Sequence, residues 1–102
     1  MIARLWHGAV PAAKAGSYMR YLEETGLPDY RATPGNRGVR VLRRTEGNVV
    51  HFLLVTFWES FDAIRAFAGD ELDRAVVHDE AAALFSDYDR KVRHFDVVQE
   101  AS

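Results

Sequence analysis

Four histidines, His7, His51, His78 and His94, are the groups in this 102-residue chain best suited to moving protons, because imidazole changes charge near neutral pH. His7, His51 and His94 fall in segments that read as strands, where a histidine ordinarily hydrogen-bonds or sits at an exposed edge. His78 lies in an irregular stretch between two helical pieces. From there it either points into a pocket between helices and sheet or caps a helix at the surface, and the residues leave both readings open. Trp6, Trp58, Phe61, Phe67 and Phe85 offer planar surfaces on which an aromatic ligand can stack, although such rings are more often plain core. Tyr30 sits between Pro28 and Pro34 on an aperiodic segment, where packing alone explains it less well.

The absence of cysteine removes disulfides, thiolate metal sites and thiol nucleophiles, and makes the cytoplasm the expected location. No phosphate-cradling, dinucleotide, nucleophile-elbow or His-Glu-x-x-His signature occurs, and no cluster of His, Asp and Glu has metal-ligand spacing. The expectation is no metal and no cofactor. Gly35-Asn-Arg-Gly38 matches the short loop of one nucleic-acid-binding fold, but that loop joins two helices and this one enters a strand. A net charge of −2 likewise argues against nucleic acid or an anionic membrane, and no apolar run approaches the ~20 residues of a membrane helix.

Charge is nevertheless uneven. Arg31, Arg37, Arg40, Arg43 and Arg44 lie in a stretch without acids, whereas Glu59 to Asp89 is strongly acidic. The arginines suit an edge strand that resists sheet-to-sheet association, and one of them also suits recognition of an anion or enolate.

The elements that must position these residues follow from periodicity. Ile2 to Val10 reads as a strand stopped by Pro11. Ala15, Tyr18, Met19 and Leu22 share one helical face, with Gly26 and Pro28 as stop signals. Residues 27 to 36 read as a loop. Val39 to Arg44 and Val49 to Trp58 form strands joined by a Thr45-Glu-Gly-Asn48 turn. Ser60 suits the N-cap of a short helix that Gly69 ends. Irregular helical pieces follow over 70 to 89, then a last strand over 91 to 98 and a frayed tail.

The order β-α-β-β-α-β predicts an α+β, ferredoxin-like fold: a single domain over 1–102 whose four-stranded antiparallel sheet carries both helices on one face. Val49 to Trp58 is apolar on both parities, with Val49, Leu53, Val55 and Phe57 on one side and Val50, Phe52, Leu54 and Trp58 on the other. Two helices cover only one of those sides, so a second copy packed sheet to sheet is expected, giving a homodimer.

The strand Ile2-Ala-Arg-Leu-Trp-His-Gly8, the loop Thr33-Pro-Gly-Asn-Arg-Gly38 and the segment Phe57-Trp-Glu-Ser-Phe-Asp-Ala-Ile-Arg-Ala-Phe67 resemble the antibiotic biosynthesis monooxygenase family over Ile2 to Val98. The resemblance implies a dimeric α+β barrel with a pocket between helices and sheet in each subunit. It also implies a cofactor-independent monooxygenase acting on a small aromatic or quinonoid molecule, since an electron-rich anion can itself reduce O₂. On this reading His78 is the base, Trp58 the proton or hydrogen-bond donor and Arg40 the anion partner, while Trp6, Tyr30 and Phe67 line the pocket. The alternatives are a non-catalytic small-molecule-binding or stress-associated barrel and, with Trp58 and His78 present but no Asn on the first strand, a haem-degrading enzyme.

Overall fold

The computed structural model describes all 102 residues, Met1–Ser102. Strand β1 (Ile2–Pro11) leads through a short 3₁₀ turn (Ala12–Lys14) into helix α1 (Ala15–Tyr21), a π turn (Leu22–Gly26) and helix α2 (Leu27–Ala32). Strands β2 (Asn36–Glu46) and β3 (Val49–Trp58) form a hairpin, followed by α3 (Phe61–Ala68), the single turn α4 (Asp79–Ala82), β4 (Asp87–Tyr88) and β5 (Arg93–Asp96). The expected loop over 27 to 36 is therefore largely helix. Gly26 keeps helical dihedrals (φ −61°, ψ −54°), and Pro28 sits in the first turn of α2, where its missing N–H leaves little unsatisfied. The widened π turn just before it lets the chain continue where a regular helix would clash with the proline ring.

The sheet runs β2-β3-β1-β4, all antiparallel, with β5 also on β1. This is the expected α+β arrangement, but with five strands instead of four. Tyr88 and Asp87 pair with Gly8 and Ala9, while Arg93 to Asp96 pair with Leu5 to Ile2, so one interrupted strand runs down one edge of β1. The interruption has a cause: the backbone of 90 to 92 turns aside to pair with 73 to 75. Ala75 N–H donates to Arg90 O (3.0 Å) and Val92 N–H to Asp73 O (2.7 Å). The arginine-rich β2 is the opposite edge, as its composition predicts.

Cross-strand register sorts the side chains. Val50, Phe52, Leu54, Thr56 and Trp58 of β3 pair with Val10, Gly8, Trp6, Arg4 and Ile2 of β1, and all face the helices. Trp58, Phe52, Val10 and Ile64 are the largest fully buried side chains. Val49, Leu53, Val55 and Phe57 lie on the other face and are only half-buried. The chain exposes 6561 Å², above the ~5,800 Å² expected for a folded 11.6 kDa monomer. Part of that excess is this uncovered face.

Two close approaches fix the frame. At Gly8 a Cβ would lie 2.5 Å from Trp6 Cη2 and 2.7 Å from Phe85 Cε1. Gly35 combines φ +88° with a Cβ position 2.5 Å from that of Ala63, so only glycine lets the α2–β2 turn pass against α3. The expected cap of α3 is present, with Ser60 Oγ accepting from Ala63 N–H (3.2 Å) and Gly69 leaving the helix at φ +87°.

Candidate functional site

A cavity lies between the sheet and its helical cover. Its floor is the inward parity of β1 and β3, chiefly Arg4, Trp6 and Leu54, and its wall is Tyr30 and Phe67 from the helices. The segment Val76–Phe85 closes the remaining side and brings His78 to the mouth, where the residue is exposed and precedes α4. The sheltered free volume is about 70 Å³. A sealed apolar cavity of ~150 Å³ accepts benzene, so the sheltered space as formed is smaller than a single ring needs.

Burial controls the phenols around this space. It pushes the Tyr30 hydroxyl up to about 12, with the charge of Arg4 offsetting part of the rise, and it raises Tyr18 and Tyr21 as well. All three are therefore neutral hydrogen-bond donors at pH 7. Tyr30 packs against Phe67 with ring centroids 5.0 Å apart, and Trp6 meets Phe85 edge-on at 5.2 Å while its indole N–H donates to Asp89 O (2.8 Å).

Of the residues singled out by sequence, Trp6, Tyr30, Phe67 and His78 come together on this cavity. Trp58 stands behind it. The side chain is fully buried, its indole N–H donates to Thr56 Oγ1 (2.8 Å), and its ring backs Phe67 at 5.3 Å and Tyr30 at 6.4 Å. Arg40 is on the other side of the sheet, opposite Val55 on the uncovered face, because residue 40 has the parity of Leu42 and Arg44. It does not reach the cavity.

The arginine that does is Arg4, which residue-type reading passed over. It is only 4% exposed. Its Nη1 donates to Leu72 O (2.6 Å) and lies 3.0 Å from His94 Nε2, and its Nη2 donates to Arg74 O (2.8 Å). Desolvation and the Arg4 charge lower the His94 pKa against the pull of Asp73, whose Oδ1 is 3.5 Å from His94 Nδ1. The available signal was parity: Arg4 shares a strand face with Ile2, Trp6 and Val10, an arginine where alternation asks for an apolar residue. His7 and His51 are elsewhere, stacked 5.1 Å apart with Nε2 and Nδ1 2.9 Å from each other on the uncovered face.

No group of three or more His, Cys, Asp or Glu side chains is arranged to hold a metal ion, and no helix is long and apolar enough to cross a membrane.

Comparison with known proteins places this geometry in a recognisable fold. No family model matches the chain, and no curated protein does. Among solved structures it is similar to the haem-degrader MhuD of Mycobacterium tuberculosis, bound to two haems, with 20% identity over all of both chains and a TM-score of 0.69. It is also similar to candidate antibiotic biosynthesis monooxygenases. That of Bordetella bronchiseptica shares 17% identity over 96% of this chain and 97% of the other, with a TM-score of 0.68. That of Caulobacter crescentus shares 19% over 96% and 90%, with a TM-score of 0.64. At these identities the fold is what is shared: an antibiotic biosynthesis monooxygenase-like, ferredoxin-like sheet with its helices on one face.

Proposed function

We propose that the protein is a cofactor-independent monooxygenase acting on a small aromatic or quinonoid molecule held in the cavity. The observation that carries the reading is the juxtaposition of His78 at the mouth with the aromatic rings of Trp6, Tyr30 and Phe67 in the lining, in a fold shared with candidate monooxygenases. The chemistry asks little of the protein beyond a base, a donor and a dry wall. His78 takes a proton from an acidic CH₂ or phenolic group of the substrate. The resulting anion passes one electron to O₂, and the radical pair combines to a peroxide that His78 reprotonates. For a CH₂ substrate, loss of the second C–H proton with cleavage of the O–O bond leaves C=O and one water. The substrate carbon gives up all four electrons and O₂ accepts them, so no outside reductant is needed.

A tetrapyrrole does not fit the cavity as formed: ~70 Å³ is far below such a ring system, Gly8 is already overlaid by Trp6 and Phe85, and the Trp58 indole N–H is committed to Thr56. No step is routed through haem.

A second copy belongs to the reading. The half-buried Val49, Leu53, Val55 and Phe57 form an apolar surface on the central part of the sheet that the chain itself leaves uncovered. An identical sheet packed on it would complete a dimeric barrel and leave the helix-side cavities open.

The direct test is incubation of the purified protein with a panel of hydroquinones and anthrones under air and under argon, with and without chelator. Turnover that needs O₂ and ignores chelator supports the proposal. No turnover across the panel favours a binding protein instead.

A further inference from the structure

We infer that the inner end of the cavity is an anion subsite built by Arg4, and that the ligand is an aromatic acid or acidic phenol with its oxyanion on that guanidinium. The inference rests on the preceding proposal for the location of the ligand and adds its charge.

Arg4 has more donors than the chain satisfies. An arginine has five N–H groups and no acceptor. At Arg4 both Nη1 hydrogens are engaged, one by Leu72 O and the other by His94 Nε2, and one Nη2 hydrogen is engaged by Arg74 O. The Nε–H and the second Nη2–H have no partner within the chain. With Arg74 O on the Nη2 hydrogen that faces Nη1, the other Nη2–H lies beside Nε–H, the edge that grips a carboxylate with two parallel hydrogen bonds. No buried side-chain nitrogen or oxygen lacks a partner, so Nε, which has none, is not fully sealed in protein. Arg4 lines the cavity, so an anion entering that space meets this side chain.

Charge leads to the same place. A buried cation is ordinarily paired with a carboxylate. Arg4 has none: its partners are two backbone carbonyls and an imidazole held neutral, with Asp73 one residue further on beyond His94. The only carboxylate lining the cavity is Asp29, which is exposed. The Tyr30 hydroxyl adds a neutral donor, and Phe67, with its ring centroid 6.0 Å from Arg4 Cζ, adds a flat wall. A bound oxyanion would supply the missing counter-charge, and the attached ring would lie along Phe67 and Trp6 toward His78.

Benzoate and benzamide have the same shape and differ in charge at pH 7, so they isolate the subsite. Calorimetric titration of the wild-type protein should show benzoate binding at least tenfold more tightly than benzamide. In Arg4→Met that preference should vanish while benzamide binding changes less than threefold, and in Arg4→Lys, which keeps the charge and loses the paired donors, it should be intermediate. Near-UV circular dichroism establishes that each variant is folded, and if Arg4→Met is not, the wild-type comparison and Arg4→Lys still decide. Equal affinities in the wild type, binding of neither probe, or an undiminished preference in folded Arg4→Met would overturn the subsite. A benzoate preference in a protein with no oxygen-dependent turnover would keep the subsite and remove the oxygenase. Turnover of neutral substrates without that preference would do the reverse.

Discussion

The Arg4 guanidinium bridges the two ends of the chain: Nη1 lies 3.0 Å from Nε2 of His94, ninety residues away on the neighbouring strand, while Nη1 and Nη2 also hold the carbonyls of Leu72 and Arg74. One buried cation thus fastens β1, β5 and the irregular segment that leads to His78. Stability, pH response and the mouth of the cavity are tied to this contact.

The first consequence is an acid-sensitive stability. The His94 pKa is lowered in the folded protein, so the folded state binds fewer protons than the unfolded chain once pH falls below the ordinary histidine value near 6.5. Stability should therefore be fully present above that value, fall as pH drops through it, and level off below the folded pKa. Urea midpoints between pH 5 and 8 measure this, and His94→Gln should flatten the acidic side. An unchanged slope in that variant would assign the effect to another group.

The two leucines at the centre of β3 should fail differently. Leu54 faces the helices and is buried, so Leu54→Asp places an unpaired charge in the core and should cost about 4 kcal/mol or more, enough to unfold the chain. Leu53 lies on the uncovered face, where Leu53→Asp should leave the circular dichroism native and convert a particle of twice the chain mass to one of 11.6 kDa. A wild-type monomer in light scattering at micromolar concentration would refute the dimer.

His78→Ala should lower kcat by about 10²-fold or more, the usual worth of a positioned general base. Trp58→Phe keeps an aromatic ring behind Phe67 but loses the bond to Thr56 and part of the buried indole, so it should lower stability while changing kcat less than about threefold. A large kcat loss in Trp58→Phe with native KM would return the donor role to Trp58.

Haemin titration should give no sharp Soret band at micromolar protein, because the cavity is too small for the macrocycle as formed. A stoichiometric band abolished by His78→Ala would show that the segment over 70 to 78 opens to admit haem, and would replace the cofactor-free reading.

Gly8→Ala tests the packing of the floor. The added Cβ meets Trp6 and Phe85 ring atoms within 2.7 Å, so it should cost about 1–3 kcal/mol and weaken ligand binding by pushing those rings into the cavity. Thermal unfolding and the benzoate titration report the two effects separately.

Local periodicity by itself determined the hairpin, the capped helix from Ser60 to Gly69 and the β-α-β-β-α-β order, because each rests on contacts between near neighbours or on a single turn residue. It also determined the two-sided apolarity of β3, which composition along one strand makes plain. Which arginine enters the cavity was a different kind of question. Parity groups Arg4 with Ile2, Trp6 and Val10, but which parity faces the helices is set by the register of β1 and β2 on β3, which sends Arg4 toward the helices and Arg40 to the uncovered face. A one-residue step reverses that outcome, which is why cross-strand pairing had to decide it. The helix through Pro28 and the interruption of the last strand were likewise tertiary decisions. The π turn makes room for a ring that local rules treat as a stop, and the backbone of 90 to 92 finds its partners at 73 to 75, far back along the chain, a pairing no local pattern encodes.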